Sequence, residues 1–284
     1  MADVTRYDDL AEFHAATVDF FGTDPVFHTT PIAALERRLR HPDPDDQPAL
    51  MLTVVQDDVL VAAALRTPPW YLTLSGVPPQ WADTLAEALA GEVELPGVNG
   101  PRESVEAFTA AWTARTGVTA KEDAAMRLFR LGELEPPTDV TGEARLATED
   151  DLDLLVRWYL EFVGEATVHE PEEDLANKVV RVGMAAGSGN VLWTVDGEPV
   201  AWACASKPVA GMSRIGPVFT PVAHRRHGYG AAVTAASSRW ALEAGAEHVV
   251  LYTDLANPVS NSIYQRIGYR AVVDSAEFAF VPAG

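Results

Sequence analysis

The sequence predicts a mixed α/β protein built as two tandem domains. Helix-like and strand-like hydrophobic patterns alternate along the whole chain, and the order of those segments recurs about 140 residues later. Between the two runs, Gly132 to Glu143 carries Pro136-Pro137 and two glycines, the composition of a linker. The expected division is therefore a first domain over 1–131, a linker over 132–143 and a second domain over 144–284.

In the first half, Asp8 to Phe21 places Leu10, Phe13 and Ala16 at helical spacing, and Gly22 and Pro25 close it. Pro31 to Arg40 reads as a second helix with proline in its first turn. Leu50 to Val55, Val59 to Arg66 and Trp70 to Leu74 read as strands, separated by Gln56-Asp57-Asp58 and by Pro68-Pro69. A helix over Gln80 to Ala90, a short strand near Glu92, a helix over Pro101 to Arg115 and a strand around Ala125 to Leu131 complete the half. The second half repeats the order. Helices are expected over Asp150 to Glu161 and Pro171 to Met184, then strands over Val191 to Val195, Pro199 to Ser206 and Arg214 to Thr220. A helix over Gly228 to Ala244, a strand over Val249 to Thr253, a helix over Pro258 to Arg266 and a strand over Tyr269 to Phe280 follow.

An ungapped shift of 140 aligns Pro31 with Pro171, Leu35 with Leu175, Val55 with Val195, Leu60 with Val200, Ala63 with Ala203 and Pro68 with Pro208. Further on the shift grows to 157, aligning Pro101 with Pro258 and Ser104 with Asn261. The shared element order, more than any single pair, argues for duplication.

A chain of 284 residues with 48% hydrophobic residues can bury a sizeable core. Its 41 acidic against 21 basic residues give a formal charge of −20, which argues against nucleic acid and anionic membranes as main partners and is compatible with a cationic acceptor. The single cysteine, Cys204, excludes an intramolecular disulfide and a cysteine-based zinc cluster, and its apolar setting marks it as a small buried hydrophobe. His224, His227 and His248 show no metal-ligand spacing. With no leader-like start and no apolar run of ~18 residues, the expectation is a cytoplasmic protein.

The most informative stretch runs from Val218-Phe219-Thr220-Pro221 through His224-Arg225-Arg226-His227-Gly228-Tyr229-Gly230 into the alanine-rich segment after it. A strand ends, a cationic loop turns, and a helix begins. The first amides of a helix lack intrahelical acceptors and favour an anion, while Gly228 and Gly230 leave room for a pyrophosphate. The pattern is neither a P-loop nor the dinucleotide GxGxxG, because Val233 stands where a third glycine is needed.

Arg225-x-x-Gly228-x-Gly230 at a strand-to-helix junction resembles the acyl-CoA loop of the GNAT superfamily of N-acetyltransferases. Downstream, Asn257-Pro258 and Asn261-Ser262-Ile263-Tyr264-Gln265-Arg266-Ile267-Gly268-Tyr269 resemble that family's later helix, with its Tyr-x-x-x-Gly-[FY] signature. The resemblance covers Leu192 to Val273 well and the rest by element order. It implies two GNAT-like domains, each a mixed, largely antiparallel sheet flanked by helices. The first is degenerate, because Ser75-Gly76-Val77-Pro78-Pro79-Gln80-Trp81 offers neither the arginine nor a GxG.

By the same resemblance, acetyl-CoA is the co-substrate, no metal is required, and an amine acceptor attacks the thioester directly. Val218, Phe219 and Thr220 would accompany the pantetheine arm, and Arg225, Arg226, His227, Gly228, Tyr229 and Gly230 would hold the pyrophosphate. Tyr264 would serve as general acid toward the CoA sulfur, with Asn257 and Asn261 either capping its helix or touching CoA. The strand before the loop, Gly211 to Pro217, contains no carboxylate to act as base. Glu161 and Glu165 are the candidate proton acceptors, with His169 and Glu170 nearby in sequence. Trp158 and Tyr159 are candidates for shaping the acceptor pocket. A non-catalytic CoA-binding module and an enzyme acting on a protein amine stand as the alternatives.

Overall fold

The computed structural model describes residues 2–166 and 172–282. They form two compact units. One comprises Met1–Leu128, Asp254–Ala256 and Val272–Gly284, and the other Phe129–Thr253 and Asn257–Ala271.

The elements of the first half are β1 (Ala2–Tyr7), α1 (Leu10–Gly22), α2 (Thr29–Arg40), β2 (Leu50–Gln56), β3 (Val59–Arg66), β4 (Leu72–Gly76), α3 (Ala82–Leu89), β5 (Gly97–Pro101), α4 (Arg102–Thr116) and β6 (Thr119–Leu131). The second half repeats them as β7 (Glu143–Leu146), α5 (Leu152–Ala166), α6 (Glu173–Ala185), β8 (Gly189–Val195), β9 (Glu198–Ala205), β10 (Met212–Phe219), α7 (Tyr229–Glu243), β11 (His248–Asp254), α8 (Pro258–Arg266) and β12 (Tyr269–Val281). Among the described residues, no helix is long and apolar enough to cross a membrane.

Three strands differ from the sequence expectation. The opening strand of each half, β1 and β7, is recognisable only through its antiparallel partner, β2 and β8 respectively. Neither carries enough apolar residues to announce itself, because an edge strand with one solvated face does not need them. The short strand expected near Glu92 lies instead at Gly97–Pro101. Its two glycines and proline argue locally against a strand, but parallel pairing with β4 and antiparallel pairing with β12 impose one.

Period-two alternation divides each sheet between two helical layers. In β2, Leu50, Leu52 and Val54 enter the core made with α3 and α4, around Leu85, Phe108 and Trp112. Met51, from the opposite face, packs with Phe13, Phe21 and Leu35 of α1 and α2. The second unit does the same. Ile215, Val249 and Leu251 pack toward α7 and α8, whereas Leu192, Trp202 and Phe219 pack toward Leu155 and Trp158 of α5 and Val180 of α6. Trp158 is thus a core residue against Phe219, with ring centroids 6.1 Å apart.

The duplication is exact in element order but not in the 140-residue register. The β2–β3 and β8–β9 hairpins turn at Asp57-Asp58 and Asp196-Gly197, positions 139 apart, and each carries its bulge at the same point, Val54/Val55 and Trp193/Thr194. Ala63 therefore corresponds to Trp202, not Ala203, and the pairs Val55–Val195 and Leu60–Val200 are each displaced by one. Leu35 and Leu175 differ in role as well: Leu35 is buried and Leu175 is exposed. Pro171, the partner assigned to Pro31, lies outside the described residues.

The last strands are exchanged. In the first unit the sheet order is β1-β2-β3-β4-β5-β12, and in the second β7-β8-β9-β10-β11-β6. Ser275 to Ala279 of β12 pair antiparallel with Pro101 to Gly97 of β5, and Ala276 and Phe280 complete the first unit's core. Phe129 and Leu131 of β6 belong to the core of the second. The contiguous segments 1–131 and 144–284 are consequently not the units that pack.

Candidate active site

The site begins where two parallel strands part. β10 pairs with β11 only from Met212 to Ile215, opposite His248 to Leu251. A bulge between Ile215 and Val218, seen against Ala205 and Ala203 of β9, then bends β10. From residue 216 to 219 its β11-facing backbone edge has no strand partner among the described residues. The edge is free for an extended ligand.

After Pro221 the chain makes a 3₁₀ turn at Val222–His224, closed by the His224 amide donating to the Pro221 carbonyl at 2.8 Å. Arg226 and Gly228 then adopt left-handed conformations, with φ of 69° and 84°. Arg226 stores strain there, of the kind that persists at functional sites. α7 starts immediately, with no side chain capping its first turn. Among the described residues, the amides of Arg226 to Ala231 find no acceptor, and the first helical bond is Ala232 to the Gly228 carbonyl. Six consecutive donors at a helix N-terminus are a site for an anion.

Side chains fix this loop from both sides. Arg225 donates from Nε to the Thr220 carbonyl at 2.9 Å and from Nη2 to both carboxylate oxygens of Glu165 at 2.7 and 2.6 Å. Glu165 lies at the end of α5, so the pair ties the loop to that helix, and Arg226 is left exposed beside the amides. The His227 and Tyr229 rings stack with centroids 5.4 Å apart. At Gly228 a Cβ would come within 2.9 Å of Val140 in the linker segment, whereas at Gly230 it would meet only Thr220 Oγ1, at 3.5 Å.

On α8, Asn257 accepts from the Ser260 amide at 3.0 Å and is the helix cap, and Asn261 donates to the Asn257 carbonyl at 2.7 Å. Tyr264 is buried, edge-on to Tyr269 at 6.1 Å. Burial pushes its phenol up to about 12 against the opposing bond from Ser260. It is therefore a protonated donor at neutral pH. Glu161, one turn before Glu165 on α5, is exposed and makes no ion pair among the described residues. His169 and Glu170 lie outside the described residues. Burial pushes the Cys204 thiol up to about 12, so it is no nucleophile at neutral pH.

Two features escaped the sequence reading. Arg214, in the strand that lacks a carboxylate, lies under the Tyr252 ring, with its guanidinium carbon 5.4 Å from the ring centroid. Burial lowers its pKa, partly offset by Tyr252. Ile215 and Leu251 face α7, so Arg214 and Tyr252, their neighbours, face the α5 and α6 side. An arginine among apolar strand residues was the signal. Val140 over Gly228 had none, since a contact from a linker leaves no local pattern.

The first half shows the same bulge on β4, between Thr73 and Gly76. Its 3₁₀ turn, Pro79–Trp81, runs straight into α3 at Ala82, whose amide bonds the Pro79 carbonyl. In the second half, residues 225 to 228 intervene between the corresponding turn and helix. Those four residues separate the turn from the helix and leave its first amides open, and the first half has no counterpart of them.

A strand pair that parts beside an uncapped helix leaves an open backbone edge next to unpaired amides. The family model for the acetyltransferase (GNAT) family matches residues 152–269. The whole chain has the tandem GNAT fold. It superposes on an acetyltransferase of the GNAT family from Colwellia psychrerythraea with a TM-score of 0.62 at 11% identity, covering 99% of this chain and 100% of that one. A GCN5-related N-acetyltransferase from Sphaerobacter thermophilus gives 0.62 at 16%, covering 99% and 96%. A tandem GNAT protein from the clavulanic acid biosynthesis pathway gives 0.56 at 13%, covering 100% and 99%. No curated protein sequence matches the chain.

Proposed function

We propose that the chain transfers an acetyl group from acetyl-CoA to a primary amine of a small molecule, by direct attack while both are bound. The observation that carries this reading is the run of unpaired amides from Arg226 to Ala231 at the start of α7, beside the open edge of β10. Their donors and the left-handed turn suit a pyrophosphate. Arg226 adds a cation in a chain that is otherwise strongly acidic. The backbone of Val218, Phe219 and Thr220 suits a pantetheine arm lying alongside as an added strand.

Bound there, the co-substrate supplies an activated thioester. The chain then has to orient the amine and move two protons. Positioning alone is worth ~7–11 kcal/mol, so modest acid–base machinery suffices. Tyr264 donates to the departing sulfur, since its raised pKa keeps the phenol protonated. Of the two candidate carboxylates, Glu165 is engaged by Arg225, and Glu161 is the freer acceptor for the amine proton through water. Glu165 and Arg225 instead position the loop. Acidic composition favours a cationic acceptor.

Calorimetric titration of acetyl-CoA tests the reading. Wild type is expected to bind at one site per chain, in the second half. Gly230→Trp is expected to abolish binding while leaving the unfolding midpoint unchanged, because a Cβ fits at Gly230 and only the larger ring enters the anion site. Retained affinity in that variant would remove the loop from the assignment.

A further inference from the structure

The first unit has no counterpart of residues 225 to 228, but it holds a cavity of its own. A cavity of about 670 Å³ opens where the end of β4, the start of α4 and the α1–α2 connection meet, all within that unit. That is a ligand-sized volume. Its lining is sorted by polarity. At the buried end His28 and Ser75, each 8% exposed, meet at 3.3 Å between Nδ1 and Oγ. The His28 ring is surrounded by Phe20, Phe21 and Phe27, with centroids 5.7, 5.4 and 5.1 Å away. Pro78, Pro79 and Pro101 supply further apolar wall.

Charge gathers at the other end. Glu103 and Glu106 are exposed on the first turns of α4, and Asp274 faces the cavity from β12. Two arginines answer them. Arg102 is shared between Glu106 and Glu122 at 3.2 and 2.7 Å, and Arg127 is bound to both oxygens of Asp274 at 2.5 and 2.9 Å. Of the charged side chains lining the cavity, three are carboxylates and one is Arg102, itself engaged by Glu106 and Glu122, so the rim is net negative.

The loop of residues 225 to 228 has no counterpart here, and the helix that starts at this cavity, α4, carries Glu103 in its first turn, so an anion placed there would meet a carboxylate. An apolar, aromatic-walled interior with one hydrogen-bonding pair at its base and an anionic mouth selects a different chemistry. We infer that this cavity is a second ligand site, for an aromatic or apolar small molecule bearing an ammonium group. The body lies among Phe20, Phe27 and the prolines, and the ammonium faces Glu103, Glu106 and Asp274. The inference is independent of the acyl-transfer reading, whose site lies wholly in the other unit.

The test uses the full chain with ring-labelled histidine, the His28 signal being assigned by its loss in His28→Gln. Three probes share one body and differ in charge: 2-phenylethylammonium, 2-phenylethanol and 3-phenylpropionate. The ammonium probe is expected to shift the His28 signal saturably with a Kd on the order of millimolar, as its size allows. The alcohol and the carboxylate should bind more weakly. In Glu103→Gln/Glu106→Gln, both substitutions being at exposed positions, the ammonium probe should weaken about threefold or more with no change in unfolding midpoint. No shift of His28 by any probe, equal or tighter binding of the alcohol or carboxylate, or indifference to the rim substitutions would overturn the proposal. Acetyl-CoA titration of the same samples reads the other unit separately.

Discussion

At the residue scale, Tyr264 carries the sharpest expectation. It is both a core residue, packed with Ile267 and Tyr269, and the phenol nearest in role to a proton donor. Substitution by Phe keeps the volume and removes only the hydroxyl, so packing is preserved. Tyr264→Phe is expected to lower turnover by ~10²–10⁴-fold, the usual worth of a general acid, while acetyl-CoA affinity stays within about twofold. Comparing kcat with the calorimetric Kd checks this; parallel losses in both would make the phenol a packing residue only. The sequence carried Tyr264, Gly228, Gly230 and the arginines as a spaced pattern, and the fold brings the loop onto α7 as expected. It could not distribute the work between two adjacent arginines. Arg225 turns back to Thr220 and Glu165 while Arg226 stays at the surface, and that choice depends on where α5 ends in space.

At the element scale, the long periodic segments were legible to within a few residues because amphipathic helices and buried strands advertise their burial. β1, β5 and β7 were not, since partners alone make them strands. The loop before α7 belongs with them: its residues name an anion site, but its shape comes from left-handed turns at Arg226 and Gly228. Gly228 is the more constrained of its two glycines. At φ of 84° an added Cβ costs ~1–2 kcal/mol from the backbone alone. It would also press on Val140 at 2.9 Å. Gly228→Ala is therefore expected to lower both stability and acetyl-CoA affinity, in contrast to Gly230→Trp, which lowers affinity alone. Thermal unfolding beside calorimetry of the two variants checks the contrast. Unchanged stability in Gly228→Ala would mean that the loop relaxes without its left-handed residue.

At the scale of the whole molecule, the duplication was visible in element order, whereas the exchange of final strands was not. β6 and β12 are each thirteen residues long, 150 positions apart, and similarly patterned, so either could close either sheet on local grounds. Only pairing decides, and it places Ser275 to Ala279 beside β5. The consequence can be read from Phe280, near the end of the chain. Its ring, 8% exposed, lies 6.1 Å from Trp112 of α4, in the core that holds Leu72, Leu85 and Phe108. Truncating it to Ala removes aromatic volume from that core, at a cost of ~3–5 kcal/mol. The loss should fall on the first half of the sequence. In Phe280→Ala, amide hydrogen exchange is expected to accelerate in β4, β5 and α4, while β8, β9 and α7, whose core contains no residue from 272 to 281, keep their protection. If β8 and β9 lose protection instead, β12 closes the sheet of its own half and the exchange does not occur in solution. Acetyl-CoA binding by the same variant adds a second reading, because the proposed anion site draws every one of its residues from the unit that Phe280 does not enter.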